Sequence, residues 1–346
     1  MSNLQVALIG CGKIGQKHLQ ALVHSKTVDL VATVDTDAEK AAAAAVAFDA
    51  AHYSDLESLA QHHPQLDGVI IATPSGTHRP LTEQALSHDW HVLVEKPMAL
   101  SARDAQAMVE TAAKRGRTLT VTQFNRLLPT VSLAMETFRQ GRIGRLVEGG
   151  ISVRWARPQS YYDAAPWRGT RAMDGGVLFN QAIHALDVLL QFSGPIAEVF
   201  AYAGTLTHHI EAEDTVAAAL RAANGALLTI NATTSVAETN LEERIVLVGD
   251  NGSMVLGPTV QQVEFWRVPE DDEDDVKQDV NQAPARSGWQ SHADALMDFE
   301  QAIKTGRPSR LTGESAVHVI EVIEAIMRSA EEGQPVSLRS VEGRQA

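Results

Sequence analysis

Gln5-Val6-Ala7-Leu8-Ile9-Gly10-Cys11-Gly12-Lys13-Ile14-Gly15 decides how the rest of this chain is read. An apolar run of strand length stops at G-x-G-x-x-G and passes into a helical pattern reaching about His24. Such a turn sets bare backbone N–H groups at the positive end of a helix, where a diphosphate can sit. With 24 glycines in 346 residues the motif also arises by chance, so its surroundings matter. The next apolar run, Asp29 to Val34, ends on Asp35, 20 residues beyond Gly15. A carboxylate at that distance reaches the ribose hydroxyls of a dinucleotide. The plainer alternative is that Asp35 starts a turn and the glycines serve a tight corner. Thr36 and Asp37 follow, with no Arg or Lys to receive a 2′-phosphate, so NAD is expected rather than NADP.

At 346 residues the chain exceeds what one core accommodates, and two domains are expected, 1–122 and 123–346. The net charge of −14 argues against nucleic acid and anionic membrane as partners. A single cysteine, Cys11, excludes an internal disulfide and suits a reducing compartment; it reads as a small residue of the glycine turn. The N-terminus lacks the cationic and apolar regions of a signal peptide, and no apolar run reaches the ~18 residues of a membrane span. A cytoplasmic protein is expected.

Alternating strands and helices continue to residue 122, predicting βαβ units and a parallel sheet. Ligands bind at the carboxyl ends of such strands, which puts Thr73, Ser75 and His78 beside a cofactor after the run Asp67 to Thr73. His91-Val92-Leu93-Val94 delivers Glu95-Lys96-Pro97, a charged pair at the end of a buried strand. It is either a structural ion pair or a catalytic lysine brought to the cleft, and the strand-end position favours the lysine. Beyond Gln123 come a helix over 129–140 and then strands with few crossovers, predicting an α+β domain with a large, open, mostly antiparallel sheet, one face of which is free to pair with another subunit. The acidic run Glu270 to Asp275 reads as part of a solvated loop reaching Ser287, and amphipathic helices close the chain.

A second constellation lies in the later domain. Asn180, His184 and Asp187 stand at i, i+4 and i+7, one face of a helix, beside an apolar face of Ile183, Leu186 and Leu190. A histidine on a helix is usually structural; next to a dinucleotide domain and a strand-end lysine it becomes a catalytic candidate.

Together the glycine turn, Asp35, Thr73-Pro74, Glu95-Lys96-Pro97, the 180–187 helix and Gly306-Arg307-Pro308 resemble the Gfo/Idh/MocA family of NAD(P)-dependent oxidoreductases over nearly the whole chain. Arg157-Pro158-Gln159-Ser160-Tyr161-Tyr162-Asp163 and Trp167-Arg168-Gly169-Thr170 resemble its branch that oxidises UDP-N-acetylglucosaminuronic acid at the 3-position (the WlbA/WbpB type). Family members commonly carry Asp at position 180 and Gly at 177 and 182, where this chain has Asn, Val and Ala. The resemblance implies a Rossmann domain followed by a domain that forms dimers or tetramers through its sheet, and it assigns Lys96 and His184 as the catalytic pair. Cofactor candidates are then Gly10, Gly12, Lys13, Ile14, Gly15, Asp35, Thr73, Ser75, His78, Glu95, Lys96, Gln123, Trp167 and Arg168. Substrate candidates are Lys96, Arg157, Tyr161, Arg168, Asn180 and His184, and no metal is expected. Arg157 and Arg168 would hold a carboxylate or diphosphate, unless they form surface salt bridges. The expected reaction is oxidation of a ring hydroxyl, with a different sugar or inositol dehydrogenase, or a non-catalytic NAD-binding regulator, as the alternatives.

Overall fold

The computed structural model describes residues 3–282 and 284–338. Six strands alternate with helices at the start: β1 (Leu4–Ile9), α1 (Lys13–Val23), β2 (Val28–Val34), α2 (Ala38–Ala45), β3 (Ala51–Tyr53), α3 (Leu56–His62), β4 (Gly68–Ile71), α4 (His78–Ser87), β5 (His91–Val94), α5 (Ala102–Arg115) and β6 (Leu119–Val121). The strands form one parallel sheet in the order β3-β2-β1-β4-β5-β6. β1 and β4 are neighbours although two strands separate them in the chain, so the connections reverse there. That reversal leaves a crevice at the carboxyl ends of β1 and β4, where the glycine turn falls.

The second group runs α6 (Pro129–Arg139), β7 (Leu146–Arg154), α7 (Gln159–Asp163), α8 (Ile183–Ser193), β8 (Ile196–Gly204), β9 (Thr215–Ala222), β10 (Leu227–Thr233), β11 (Glu242–Gly249), β12 (Ser253–Leu256), β13 (Val263–Arg267) and α9 (Glu273–Asn281). α10 (Gly288–Thr305), α11 (Gly313–Glu332) and β14 (Val336–Ser337) complete the chain. The eight-stranded sheet has the order β13-β12-β11-β7-β10-β9-β8-β14 and is antiparallel except for β7 with β10. α8 lies against β7 and β11 with nearly every residue buried. On the other side of the sheet Tyr202 and Leu227 stay exposed, which follows from the period-two alternation along β8 and β10.

The chain divides into two compact units, Met1–Phe124 with Arg286–Val317, and Asn125–Ala285 with His318–Ala346. The first boundary lies within two residues of the expected 122/123. The expected second domain ran unbroken to residue 346, whereas 286–317 here belongs to the first unit. α10 packs along α1, and its Leu296 and Phe299 join Leu8, Leu19, Leu22 and Ile70 in the core under the parallel sheet. The run expected as a loop from Glu270 to Ser287 contains α9. Asp272 caps it by accepting from the Asp274 and Asp275 N–H groups, and Lys277 pairs with Glu273 one turn away. Acidic residues gathered at a helix start oppose the positive end of its dipole, so the run favours a helix it seemed to forbid.

Candidate active site

Gly10 adopts φ +94°, and a Cβ there would lie 2.6 Å from the Ala72 carbonyl oxygen at the end of β4. Gly15 must also lack a side chain, since its Cβ would meet the Gly10 oxygen at 2.2 Å. Gly12 differs: nothing lies within 4 Å of the Cβ position, and it caps α1 with no side-chain hydrogen bond and no acidic residue in the first turn. The N–H groups of that turn therefore stand toward open space beside exposed Lys13 and Ile14, a cradle that fits a diphosphate. Asp35 accepts from the Cys11 N–H at 2.8 Å and the Asp37 N–H at 2.9 Å, so the carboxylate expected to hold ribose also ties β2 to the glycine turn. Burial, and then the Asp35 charge, push the Cys11 thiol up to about 12, so it stays protonated and serves as packing.

Thr73 and Ser75 are partly exposed at the end of β4. His78 is buried, with ring nitrogens 2.8 Å from the Pro97 carbonyl and 2.9 Å from the Thr73 carbonyl, bracing the two strand ends against each other. Half-buried Lys96 follows β5, and its N–H donates to Thr122 Oγ1 at 3.0 Å. Gln123 is buried after β6. The Glu95 carboxylate, expected near the cofactor, is engaged by His18 and His292, two residues the sequence reading passed over. Their signal was present: His292 falls on the apolar stripe of Ala295, Leu296 and Phe299, where a polar ring needs a partner.

In the second unit the polar stripe of 180–187 is not one α-helical face. A π-turn covers Leu178–Ala182 and α8 begins at Ile183, so an extra residue per turn separates Asn180 from His184. Asn180 Nδ2 donates to Asp174 Oδ1. Asp174, also missed, accepts the Gly169 N–H at 2.7 Å through its other oxygen, joining the Arg168 loop to the π-turn. Asp187 turns into the core, where it receives both Nε (2.6 Å) and Nη2 of Arg126. His184 is buried with 8% of its surface exposed.

Tyr161 sits between two guanidinium groups, Arg168 at 4.3 Å and Arg157 at 5.4 Å from its ring centre. Trp167 covers Arg168 at 4.9 Å, and Trp155 covers Arg157 at 4.9 Å. Arg157 Nη1 donates to the Ala156 carbonyl at 2.7 Å and to Asn240 Oδ1 at 3.3 Å, and among the described residues neither guanidinium has a carboxylate within salt-bridge distance. Arg168 lines a cavity of about 290 Å³ with Tyr162, Gly169, His209 and Glu211. Lys96 belongs to the first unit; Trp167, Arg168, Asn180 and His184 belong to the second.

Known proteins give a consistent picture. Residues 4–123 match the oxidoreductase family with the NAD-binding Rossmann fold, and 131–255 match the GFO/IDH/MocA C-terminal domain. The WlbA dehydrogenase of Bordetella pertussis, solved with NADH and UDP-GlcNAcA, is 34% identical over 98% of both chains, with TM-score 0.93. That of Chromobacterium violaceum, with the same two ligands, is 32% identical over 98% of this chain and 97% of that one, with TM-score 0.90. A 1-carboxy-3-chloro-3,4-dihydroxycyclohexa-1,5-diene dehydrogenase of Comamonas testosteroni is 33% identical over 64% of this chain, a match that spans only 56% of that relative. Glycine turn, strand-end acid and family match agree on NAD as the cofactor, and the chain belongs to the Gfo/Idh/MocA family of NAD-binding oxidoreductases.

Proposed function

We propose that this chain oxidises the 3-hydroxyl of UDP-N-acetylglucosaminuronic acid. The observation that carries the reading is the pair of guanidinium groups on Tyr161, stacked by aromatic rings and without a carboxylate partner among the described residues. Half-buried, stacked arginines offer a forked contact that suits a uronate carboxylate or a diphosphate and is wasted on a neutral polyol. The 34% identity with a WlbA dehydrogenase solved with this sugar nucleotide supports the same substrate.

Bound nicotinamide supplies the hydride acceptor. The protein must hold the carbinol and take its proton. The imidazole of His184 accepts the hydroxyl proton, and the Lys96 ammonium donates a hydrogen bond to the same oxygen as negative charge grows there. Both groups must meet at one hydroxyl for the reaction to run. Asn180 binds a neighbouring hydroxyl, and Arg157 and Arg168 hold the anionic end. The exposed Tyr202 and Leu227 face supports self-association through the large sheet.

The test is a substrate panel of UDP-N-acetylglucosaminuronate, UDP-N-acetylglucosamine, free aldoses and inositols, followed by absorbance of reduced nicotinamide. Only the uronate should give turnover, and Arg168→Ala should raise its KM about tenfold or more. Turnover of the neutral sugars at the same efficiency would defeat the reading.

A further inference from the structure

Beneath Lys96 lies a buried cluster that the oxidation chemistry leaves unexplained. His18 Nε2 stands 2.8 Å and His292 Nε2 3.1 Å from one oxygen of Glu95, Oε1. The other oxygen, Oε2, lies 3.3 Å from the backbone nitrogen of Lys96. All three side chains are more than nine-tenths buried, the two rings meet edge to face at 4.6 Å, and Phe124 covers His292 at 5.1 Å.

The geometry sets where the protons are. His292 Nδ1 is 2.5 Å from the Gly288 carbonyl oxygen, and its Nε2 faces a carboxylate. Neither oxygen can donate, so both ring nitrogens must, and His292 is an imidazolium. His18 donates from Nε2 alone, because its Nδ1 is buried without a partner, so that ring is neutral. One carboxylate and one imidazolium then cancel inside the unit. The members come from three places: α1, whose start forms the diphosphate cradle; the end of β5; and α10.

We propose that the Glu95–His292 ion pair, completed by His18, fixes the peptide that carries Lys96, making Glu95, His292 and His18 positioning residues for the oxidation. The proposal rests on Lys96 acting at the substrate hydroxyl. If His292 loses its proton, a lone pair faces an acceptor oxygen, Glu95 keeps a single imidazole donor, and the Oε2 contact to the Lys96 N–H loosens. Burial works to lower the pKa of His292, but the Glu95 hydrogen bond and charge outweigh it and hold the pKa above 6.5. Burial likewise works to raise Glu95, and its two imidazole partners keep it well below 4.5. The groups facing the pair are His18 from α1, Lys96, which opposes the charge on His292, and His78 from α4. A base whose pKa is raised by folding keeps its proton below that value, so the positioning is fully present below the unfolded pKa and is lost as pH rises through the folded pKa of His292.

Two readouts on the full chain with NAD bound decide the matter. Histidine-ring ¹⁵N spectra should show a ring with both nitrogens protonated at pH 6.5, absent in His292→Gln; a His292 ring that is neutral there overturns the proposal. Exchange of the Lys96 amide, corrected for its intrinsic pH dependence, should accelerate about tenfold as His292 deprotonates in the wild type. In Glu95→Gln and His292→Gln the faster rate should hold at every pH, short of full exposure because the 3.0 Å bond from the same N–H to Thr122 Oγ1 remains, and unchanged protection in both overturns the proposal. With UDP-N-acetylglucosaminuronate each variant should lose at least about tenfold in kcat, with KM and NAD affinity within about threefold, and the double variant should be no worse than the worse single one. Additive losses would also overturn it. If a variant does not fold, the wild-type ring spectrum and amide exchange still decide. If Lys96→Met turns over normally, the catalytic reading fails while these two readouts keep their own answer.

Discussion

In the first unit Gly10, Asp35, Thr73 and Lys96 lie within two residues of the carboxyl ends of β1, β2, β4 and β5, adjacent strands of one parallel sheet. In the second, Arg157, Tyr161 and Arg168 stand on a loop and a short helix, Asn180 on a π-turn and His184 at the start of a buried helix. The first arrangement is produced by backbone pairing, which aligns strand ends whatever the side chains do. The second depends on contacts between residues distant in sequence, such as Arg126 with Asp187 and Asp174 with Gly169 and Asn180. A cofactor common to many proteins can be held by a shared frame, whereas a particular substrate needs a surface that can change loop by loop.

That contrast can be broken most sharply at the buried ion pair supporting α8. Asp187→Asn removes the carboxylate from a guanidinium that is 4% exposed, which should lower stability by ~3–5 kcal/mol and Tm by roughly 10 °C. Calorimetry giving a change under about 2 °C would show that the second unit does not depend on this contact. Next in size, Lys96→Met and His184→Asn should each reduce turnover at least ~100-fold while retaining NAD affinity, one side chain from each unit counting equally. Stopped-flow reduction of bound NAD at the wild-type rate in either variant would remove that residue from the chemistry. Asp35→Ala should weaken NAD about tenfold and narrow the preference over NADP, because the carboxylate anchors the Cys11 N–H of the glycine turn and stands at the spacing proposed for the ribose contact. Cofactor-fluorescence titration would detect it, and an unchanged ratio would mean that the frame alone selects the cofactor.

The pH dependence of stability tests the second unit apart from any ligand. Burial pushes the Glu243 carboxyl up from 4.5 to about 7, opposed by a 3.2 Å hydrogen bond from Asn125 Nδ2. A carboxyl with a raised folded pKa holds its proton more tightly when folded, so stability falls as pH rises from the unfolded value to about 7 and then levels. Glu243→Gln should match the wild type near pH 4 and exceed it by up to ~3 kcal/mol at pH 8. Equal melting curves at pH 8 would refute it.

The same contrast explains what could be seen in the sequence. β1, β2, β4 and β5 were legible as apolar runs because strands buried on both faces keep their few polar residues, such as Gln5, Asp29 and His91, near one end. β3 escaped because Ala51-His52-Tyr53 is three residues long and only partly buried. The catalytic candidates were visible as residue types in suggestive places, but the helical face drawn through Asn180, His184 and Asp187 assumed a regular helix. Nothing local announces a π-turn, and the partner that turns Asp187 inward lies 61 residues earlier. His18 and Glu95 are 77 residues apart and His292 a further 197, so their meeting exists only in the folded chain.

The return of residues 286–317 to the first unit affects the order in which this protein can be made. A ribosome releases the parallel sheet early, yet Leu296 and Phe299, which seal its underside, emerge only after the other unit's large sheet has been synthesised. The nascent nucleotide half therefore waits with an uncovered apolar surface. It could not be transplanted into another protein by cutting after residue 124 without supplying a substitute for α10.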